Sequence, residues 1–519
     1  MKKTAKDQQN QSGQPVQQLA MKDGAAGATT ATDATSAPAA GAATSATEPG
    51  VPSAAPAPQT AQDDLRKQVE TPDALHYKGV TITPAGSFIE AATVWRQGAT
   101  GGGIDTAPTG IPLEHSGSAQ TSEFYGSGRQ SRIALRGIGK LNNVEMTAYY
   151  EMDWLGTGTT SNANQSNSYV VRQRQLWARA AFTNGWNISG GQMWSLTTET
   201  THGLDNATEI LPATIDPQYM AGFVWNRQYG FRVAKNVSNK FWFGFSLEND
   251  QILPGGSGPA NQFIGSAGVG GGLYNLNANY SFNLAPELVV KMAFEPGWGH
   301  WEIFGVERSF RNRVYPNAPA NSAGAYNDKV AGGGIGGGFR VPLAKKKLSI
   351  GLKGLYGDGT GRMGDSTIAD TTFRANGTMA LLHTWSALGT IEVNPIKPLT
   401  LYVNYGADYV GRNLQSSGTS GYGLPSANMS GCTTEGVPGG SFSPAGTGTC
   451  AGNNKDTQEL IAGFWHNFYD GPKGRFRMGL NYSRWERDLW SGAGGATNPG
   501  GNARGVDNMW WTSMRFYLP

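Results

Sequence analysis

From about Gly79 onwards, apolar and polar residues alternate in short runs with a period of two. The run NVEMTAYYEMDW begins at Asn143 and places Met146 and Trp154 on one side and Glu151 on the other. Successive side chains of a β-strand point to opposite faces of the sheet, so this spacing predicts a strand with one apolar and one polar face. Because similar runs recur more than a dozen times, the pattern predicts an all-β protein.

Two kinds of connection alternate between these runs. One kind is tight, as in KLNN and YDGPKG, and the other is long and polar, as in 197–219 and 411–455. An antiparallel meander with short turns at one end and long loops at the other is the layout of an outer-membrane β-barrel. The sequence therefore predicts sixteen antiparallel strands, at about 86–97, 130–139, 143–154, 168–182, 186–196, 220–235, 240–249, 271–282, 287–311, 328–343, 347–357, 378–393, 398–410, 456–468, 474–487 and 506–518.

The segment 287–311 is interpreted as one long strand with a kink at EPGWGHW. A hairpin there would make the strand count odd and would bring a long loop to the short-turn end. Bacterial barrels have an even number of strands, which favours the single strand.

The second face of most predicted strands holds charged residues and glycines instead of packing residues. Sixteen strands enclose an interior that is too wide for side chains to fill. We therefore expect a 16-stranded antiparallel transmembrane β-barrel, with its apolar face towards lipid and its polar face towards a water-filled channel. A soluble β-sandwich or carbohydrate-binding array is the alternative, but it gives no reason for the alternating loop lengths.

Composition agrees with this fold class. Charged residues make up only 15% of the chain, 74 of 519 residues are glycine, and aromatics reach 10%. The net charge of +3 and the lack of a Lys/Arg block do not suggest a nucleic-acid partner. No stretch of 18 apolar residues predicts a membrane-spanning helix, whereas a barrel exposes only every second residue to lipid and keeps the mean hydropathy low.

Residues 1–76 differ from the rest of the chain. They are rich in Ala, Thr, Gln, Ser, Gly and Pro and almost free of aromatics, so we expect a disordered periplasmic tether before a barrel at 77–519. The start MKKTAKDQQN is basic, but no apolar segment follows it, so a signal peptide is not visible. The signal lies upstream of this start, or it has been removed, or the protein is not exported.

The two cysteines, Cys432 and Cys450, lie 18 positions apart in one polar segment. A single pair in a loop of an exported protein suggests a disulfide bond, and two free thiols are the alternative.

Several segments resemble a known family. The closing VDNMWWTSMRFYLP resembles the C-terminal assembly strand of outer-membrane proteins, although it ends in Leu518 and Pro519 instead of an aromatic residue. RQRQLWARAAF followed by GGQMWSLTTE resembles the strand–turn–strand unit before the constriction loop of DcaP-like and general trimeric porins. EIFGVERSFRNRVYPN and GFWHNFYDGPKG resemble stretches of acidobacterial porin-like proteins. This resemblance implies a trimeric barrel whose third long loop, near 197–219, folds inward, and it places the N-terminal tether where DcaP-like proteins carry a periplasmic extension.

The resemblance also implies a set of pore residues. Acids on the third loop would face basic residues on the wall, and the resulting transverse field would orient solutes and set ion preference. The alternative is that the wall arginines form ion-pair ladders that only stiffen the barrel. The candidate loop acids are Glu199, Asp205, Glu209 and Asp216, and the candidate wall cations are Arg132, Arg136, Arg172, Arg174, Arg232, Lys291 and Lys353.

The function expected from these features is passive diffusion of small hydrophilic solutes and ions through the bacterial outer membrane. Its expected partners are membrane lipid, lipopolysaccharide and two further copies of the chain. No catalytic motif or metal-ligand spacing is present, so we expect no enzyme activity, metal or cofactor. Two alternatives stay open: a structural or adhesive barrel plugged by its loops, and an outer-membrane hydrolase that uses Ser195 and His202.

Overall fold

A computed structural model describes residues 74–156, 161, 169–267, 279–415, 418–435, 450–494 and 503–519. Within this part of the chain, sixteen antiparallel strands form one closed sheet, because the last strand pairs with the first and sets Trp510 opposite Trp95. The strands are β1 Phe88–Arg96, β2 Glu123–Ser127 with Arg132–Leu141, β3 Val144–Gly156, β4 Val170–Phe182, β5 Trp186–Trp194, β6 Arg227–Val237, β7 Phe241–Glu248, β8 Glu287–Phe294, β9 His300–Val314, β10 Tyr326–Leu343, β11 Leu348–Asp358, β12 His383–Ile396, β13 Leu399–Val410, β14 Asn454–Gly471, β15 Gly474–Leu489 and β16 Arg504–Tyr517. Among the described residues, no helix is long and apolar enough to cross a membrane.

The two faces of the barrel are inverted relative to those of a soluble protein. In β8, Glu287 and Lys291 point inward and are fully buried, whereas Met292 and Phe294 point outward and are 42% and 47% exposed. The same alternation recurs in β3, where Glu151 is buried and Met146 is exposed. Apolar residues therefore cover the outside and charged residues line the inside, which confirms the predicted transmembrane barrel.

Glycines in β10 make room inside the barrel. On the inner face, a Cβ atom at Gly336 would lie 2.2 Å from the Phe304 ring, and one at Gly332 would lie 2.7 Å from a Leu381 methyl group. Glycine inside a strand often marks such a close approach. The GGGIGGG run thus lets side chains of neighbouring elements pack against the wall.

The predicted strand count is right, but two of the predicted strands are wrong. The segment 287–311 is a hairpin, because Pro296 and Gly297, whose φ is +96°, turn the chain between β8 and β9. The segment 271–282 is not part of the barrel: β7 pairs directly with β8, with Glu248 opposite Glu287. Of that segment, Asn279–Ser281 pairs with Gly265–Ala267 in a separate ribbon, and residues 271–278 lie outside the described residues.

Two further boundaries differ from the prediction. Strand β6 begins at Arg227, not near residue 220, so Phe223 and Trp225 belong to the preceding loop. Arg227 contacts both the barrel and this loop: its guanidinium packs on the rings of Trp194 and Trp225, at 5.1 and 5.2 Å. Before β12, Met379–Leu381 pairs with Thr371–Phe373 outside the barrel sheet.

The chain termini and the cysteines have simple positions. Residues 1–73, which contain most of the predicted tether, lie outside the described residues. The described chain begins with a hairpin of Leu75–Tyr77 and Val80–Thr83, and the second of these strands pairs with β2. Cys432 and Cys450 form the predicted disulfide bond, within the long loop between β13 and β14.

Two long loops fold into the barrel. The first joins β5 to β6 and is called the constriction loop, residues 195–226. The second joins β11 to β12, residues 359–382, and is called the second inward loop. The two loops touch, because the Trp225 amide donates to the Met363 carbonyl at 3.0 Å and the Trp225 indole donates to Asp365 at 2.8 Å.

A buried charge cluster holds the second inward loop. Arg308 of β9 pairs with Glu287 at 2.6 Å, with Asp370 at 2.8 Å and with Asp250 at 2.9 Å, and all four side chains are fully buried. Arg362 of the same loop also pairs with Glu287. Two guanidinium groups therefore lie among three carboxylates and offset most of their mutual repulsion.

Replacing Arg308 with Met should destabilise the barrel by about 3–5 kcal/mol, because it leaves buried carboxylates without their main counter-ion. The measurement is urea unfolding in phospholipid vesicles, followed by tryptophan fluorescence. Arg313→Met on the same strand is the control: Arg313 bonds to Asn327 and to no carboxylate of the described residues, so its loss should cost less than about 1 kcal/mol. An equal loss of stability in the two variants would contradict the role of Arg308 in holding the second inward loop.

Candidate functional site

The first part of the constriction loop is a hairpin over residues 199–210, called the tongue. Thr200 bridges to Glu209, and the Ile210 amide donates to the Glu199 carbonyl at 2.9 Å. The Glu199 side chain pairs with Arg340 of β10 at 2.7 Å. The tongue is therefore fixed to the wall near the short-turn ends of the strands.

Glu295, in the turn between β8 and β9, holds the tip of the tongue. Its carboxylate accepts from the Gly203 amide at 2.6 Å and lies 2.9 Å from His202 Nδ1 and 3.1 Å from His300 Nδ1. Burial opposes ionisation of Glu295, but the Gly203 amide and the two histidines together lower its pKa. A charged carboxylate thus anchors the loop.

The second part, residues 211–224, crosses the lumen and is called the strap. The Ile215 amide donates to Asn481 Oδ1 of β15 at 3.2 Å, and the Gly222 amide donates to Asp408 Oδ2 of β13 at 2.9 Å. Arg515 of β16 donates to the Ile215 carbonyl. The constriction loop therefore spans the lumen from the wall of β7–β10 to the wall of β13–β16.

A cavity of about 570 Å³ lies between the strap and the short-turn end of the barrel. Residues from eleven strands and from the constriction loop line it, so it is part of the lumen and not a pocket within the wall. Its charged lining residues are Glu90, Arg132, Arg174, Glu209, Asp216, Arg340, Glu392, Arg477 and Arg515.

Arginines and aromatic rings alternate along one wall of this cavity, in what we call the arginine ladder. The guanidinium–ring distances run from 4.0 to 5.4 Å, within the range of cation–π contacts. Glu90 pairs with one rung, Arg515, at 2.8 Å. The order along the wall is Arg132, Phe88, Arg515, Trp465, Arg477, Tyr517 and Arg475.

Three arginines of the ladder, Arg132, Arg475 and Arg477, have no carboxylate partner among the described residues. Arg132 and Arg477 both line the cavity, and the Nε atom of each is buried without a hydrogen-bond partner there. Arg136, next along the inner face of β2, also has a buried, unpartnered Nε. These guanidinium groups keep their charge and are available to a solute.

The other two predicted wall arginines lie in ion pairs. Arg172 binds Asp153 through two contacts of 2.8 and 3.1 Å. Arg174 pairs with Glu151 and with Asp153, and it also donates to Gln218 of the strap at 2.9 Å. This arrangement matches the ion-pair ladder considered from the sequence, and a selectivity role for this pair stays a prediction.

The predicted loop acids separate into two pairs. Glu199 and Asp205 lie on the tongue, where Glu199 is paired with Arg340 and Asp205 is 4.0 Å from His202. Glu209 and Asp216 line the cavity and have no cationic partner within ion-pair distance among the described residues. Burial raises the pKa of Glu209 to about 7, although Arg232 opposes this shift, and burial also raises the pKa of Asp216.

The remaining predicted cations lie behind the tongue, away from the cavity. Lys291 donates to the Thr198 carbonyl at 2.8 Å and pairs with Glu302, which also binds Lys353. Arg232 donates to the Trp194 carbonyl. All three predicted cations thus support the base of the constriction loop.

Sequence reasoning missed Arg477, Arg515 and the second inward loop. One signal was present: Arg475 and Arg477 are spaced i, i+2, like Arg172 and Arg174, and therefore share the inner face of β15. Among the described residues, no group of three or more His, Cys, Asp or Glu is placed to hold a metal ion.

No protein-family model and no curated protein sequence matches this chain. Among solved structures, it is similar to the outer membrane channel DcaP of Acinetobacter baumannii, with 11% identity, a TM-score of 0.58, and coverage of 86% of this chain and 99% of that one. The OmpF complex with daunomycin from Salmonella typhi matches with 9% identity, a TM-score of 0.44, and coverage of 86% and 100%. The anion-selective porin of Comamonas acidovorans matches with 12% identity, a TM-score of 0.43, and coverage of 85% and 99%. The chain therefore has the barrel fold of the DcaP channel, as the sequence resemblance implied.

Proposed function

We propose that this protein is an outer-membrane porin through which small hydrophilic solutes and ions diffuse passively, without chemical change. The observation that supports this most directly is the inverted barrel, in which Glu287 and Lys291 are buried inside while Met292 and Phe294 are exposed outside. Such an outer surface requires lipid around it, and a polar interior retains water. The proposed location is the bacterial outer membrane, with lipopolysaccharide against the long-loop end.

Solutes pass the strap between the arginine ladder and the loop acids. Arg132 and Arg477 lie on the wall and Glu209 and Asp216 on the loop, so opposite charges border one cavity. This arrangement supports the transverse field that was expected from the sequence. Because Glu209 is largely neutral below pH 7, the two free arginines dominate at neutral and acidic pH and favour anions.

The outer face of β2–β5 is the proposed contact between copies in a trimer. Six of its outward residues are small, and a shallow hollow of about 560 Å³, also lined by Met146 and Ile188, lies over them. Small side chains let two walls approach closely in a membrane, where packing replaces the hydrophobic effect. The small outward residues are Gly137, Gly139, Ala148, Ala178, Ala180 and Gly190.

One observation favours the alternative of a barrel closed by its loops. The second inward loop enters the lumen beside the constriction loop, and Met363 and Ile368 are buried there. A closed barrel would pass no current in a planar bilayer. A porin would give steady conductance, with three closure steps if it is a trimer.

Changing Arg132 and Arg477 together to Ala should move the reversal potential in a salt gradient towards cation preference, because both charges are unpaired. Planar-bilayer recording measures this shift. The matched control is Arg172→Gln with Asp153→Asn, which removes a cation and its paired anion and should leave the potential nearly unchanged. An unchanged reversal potential in the variant that lacks Arg132 and Arg477 would show that these two arginines do not set the ion preference.

Between pH 5 and pH 9 the parent channel should lose anion preference. Glu209 has a raised pKa of about 7, so it is neutral at the lower pH and negative at the higher one. Glu209→Gln should reduce this change in reversal potential. Glu114→Gln, in an exposed position of the β1–β2 loop, serves as control, and an effect of that variant as large as that of Glu209→Gln would contradict the assignment.

Ala178→Trp should convert the trimer to monomers, because the indole would hold the two walls apart. Native mass spectrometry of the detergent-solubilised protein gives the ratio of the two forms. Ala387→Trp, on the outer face of β12 on the far side of the barrel, should leave the trimer intact. If Ala387→Trp dissociates the trimer instead, the interface lies on the opposite wall.

A further inference from the structure

Lysines are concentrated at one end of the barrel. Nine of the thirteen lysines in the described part of the chain lie in a short turn, within three residues of one, or on the N-terminal hairpin. Five of the seven short turns are involved, so these residues surround the barrel and are called the lysine ring. Its members are Lys78, Lys140, Lys235, Lys240, the run Lys345–Lys347, Lys397 and Lys473.

The ring is exposed, and its lysines form no ion pair within the described part of the chain. Eight of the nine lysines are exposed, and Lys235, which is half-buried, donates to the Asn184 carbonyl at 2.6 Å. The ion pairs that lysines make in the described part of the chain involve Lys291, Lys353 and Lys455, all outside the ring. The charge of the ring therefore faces the surroundings of the short-turn end.

The turn between β10 and β11 presents three lysines, two of them against its backbone preference. Ala344, Lys345 and Lys346 all have positive φ, at 47°, 57° and 68°. Glycine adopts this conformation far more readily than residues with a Cβ atom. Lysine at these positions is thus not explained by the geometry of the turn.

Carboxylates follow the opposite distribution. Asp358, Glu486 and Asp488 lie on outward positions at the long-loop ends of their strands. At the short-turn end, Glu145 pairs with Arg179 and Glu295 is held by the two histidines. Arg484 and Arg504 pair with Glu486 at the long-loop end. At the short-turn end the exposed lysines outnumber the exposed carboxylates, of which Asp470 is one.

The lysine ring begins where the apolar outer surface stops. Leu141, Leu343 and Ile396 are outward and exposed, and each directly precedes or follows a short turn that carries ring lysines. Lys235 Nζ lies 5.2 Å from the exposed ring of Trp186. In a membrane, apolar side chains beside lysines place the ammonium groups at the depth of the lipid head groups.

We propose that the lysine ring binds the phosphate groups of anionic phospholipids in the leaflet around the short-turn end. The inference rests on the membrane location proposed above. Lipid head groups surround the part of the wall that is not in contact with another copy, where most of the ring lies, whereas a soluble linear polymer would need one continuous basic face. A single lysine near an anionic lipid surface contributes a factor of about 5 in affinity.

The test uses the full chain in vesicles that contain brominated phosphatidylglycerol or brominated phosphatidylcholine at equal mole fraction. Bromine quenches tryptophan fluorescence on contact, so quenching reports which lipid lies against the barrel. The parent protein should prefer phosphatidylglycerol. The preference should fall about fivefold or more when Lys345, Lys346, Lys347 and Lys397 are changed to Gln, and it should stay unchanged in Lys329→Gln.

Lys329 is the matched control because it is an exposed, outward lysine at the other end of β10. Equal quenching by both lipids in the parent would overturn the inference, and so would an equal loss in the Lys329 variant. Lysine-dependent binding of soluble polyglutamate, without lipid preference, would assign the ring to a soluble anionic polymer and reject the lipid.

Conductance of the same preparations separates this inference from the porin proposal. If the protein conducts ions but shows no preference for phosphatidylglycerol, the proposed lipid binding by the lysine ring is wrong and the porin proposal stands. If the protein prefers phosphatidylglycerol but passes no current, the porin proposal is wrong and the proposed lipid binding stands. If the protein does not enter bilayers, both proposals are wrong.

Discussion

The structure depends on one constraint, which is that a sheet surrounded by hydrocarbon must pair all of its backbone polar groups within itself. Closure meets this constraint, because β16 pairs with β1 from Tyr517 opposite Phe88 to Met509 opposite Arg96. A closed sheet of sixteen strands cannot fill its interior with wall side chains. The polar face therefore turns inward, and loops occupy the space that remains.

Charge pairing then decides what each inner residue can do. Arg174 and Arg308 are both buried, and two or more carboxylates form ion pairs with each of them. Their positive charge is therefore offset by groups of the protein itself. Arg132 and Arg477 face rings of Phe88 and Trp465 instead. An aromatic face attracts a cation without neutralising it, which leaves these two groups able to act on a passing ion.

The fold could be predicted from the sequence because alternation reports directly on which face meets which solvent. The strand count was right only because two errors cancelled: 271–282 was counted as a barrel strand, and 287–311 was counted once. Alternation is a local pattern and does not show which strand pairs with which. In the structure, β7 pairs directly with β8, and this pairing excludes 271–282 from the barrel wall. Pro296 and Gly297 were the local signal for the missed turn.

The site was less predictable because it depends on contacts between distant segments. The residue types on the wall and on the loop could be predicted from alternation and family resemblance. Whether Arg172 forms an ion pair, however, depends on Asp153 of the neighbouring strand. The second inward loop has no periodic pattern, and its position is set by Arg308 and Glu287 from two other strands. Long-range ion pairs of this kind are not encoded in any short window of sequence.

The constriction loop is held at both ends, which limits how the lumen can change. The tongue is bound through Glu199 and Glu295, and the strap is bound through Ile215 and Gly222 to the opposite wall. Moving the loop as a whole would break charged contacts on both walls at once. Protonation needs no such movement: Glu209 and Asp216 have no cationic partner within ion-pair distance among the described residues and have raised pKa values. In this barrel, the charge of the passage is therefore easier to change than its width.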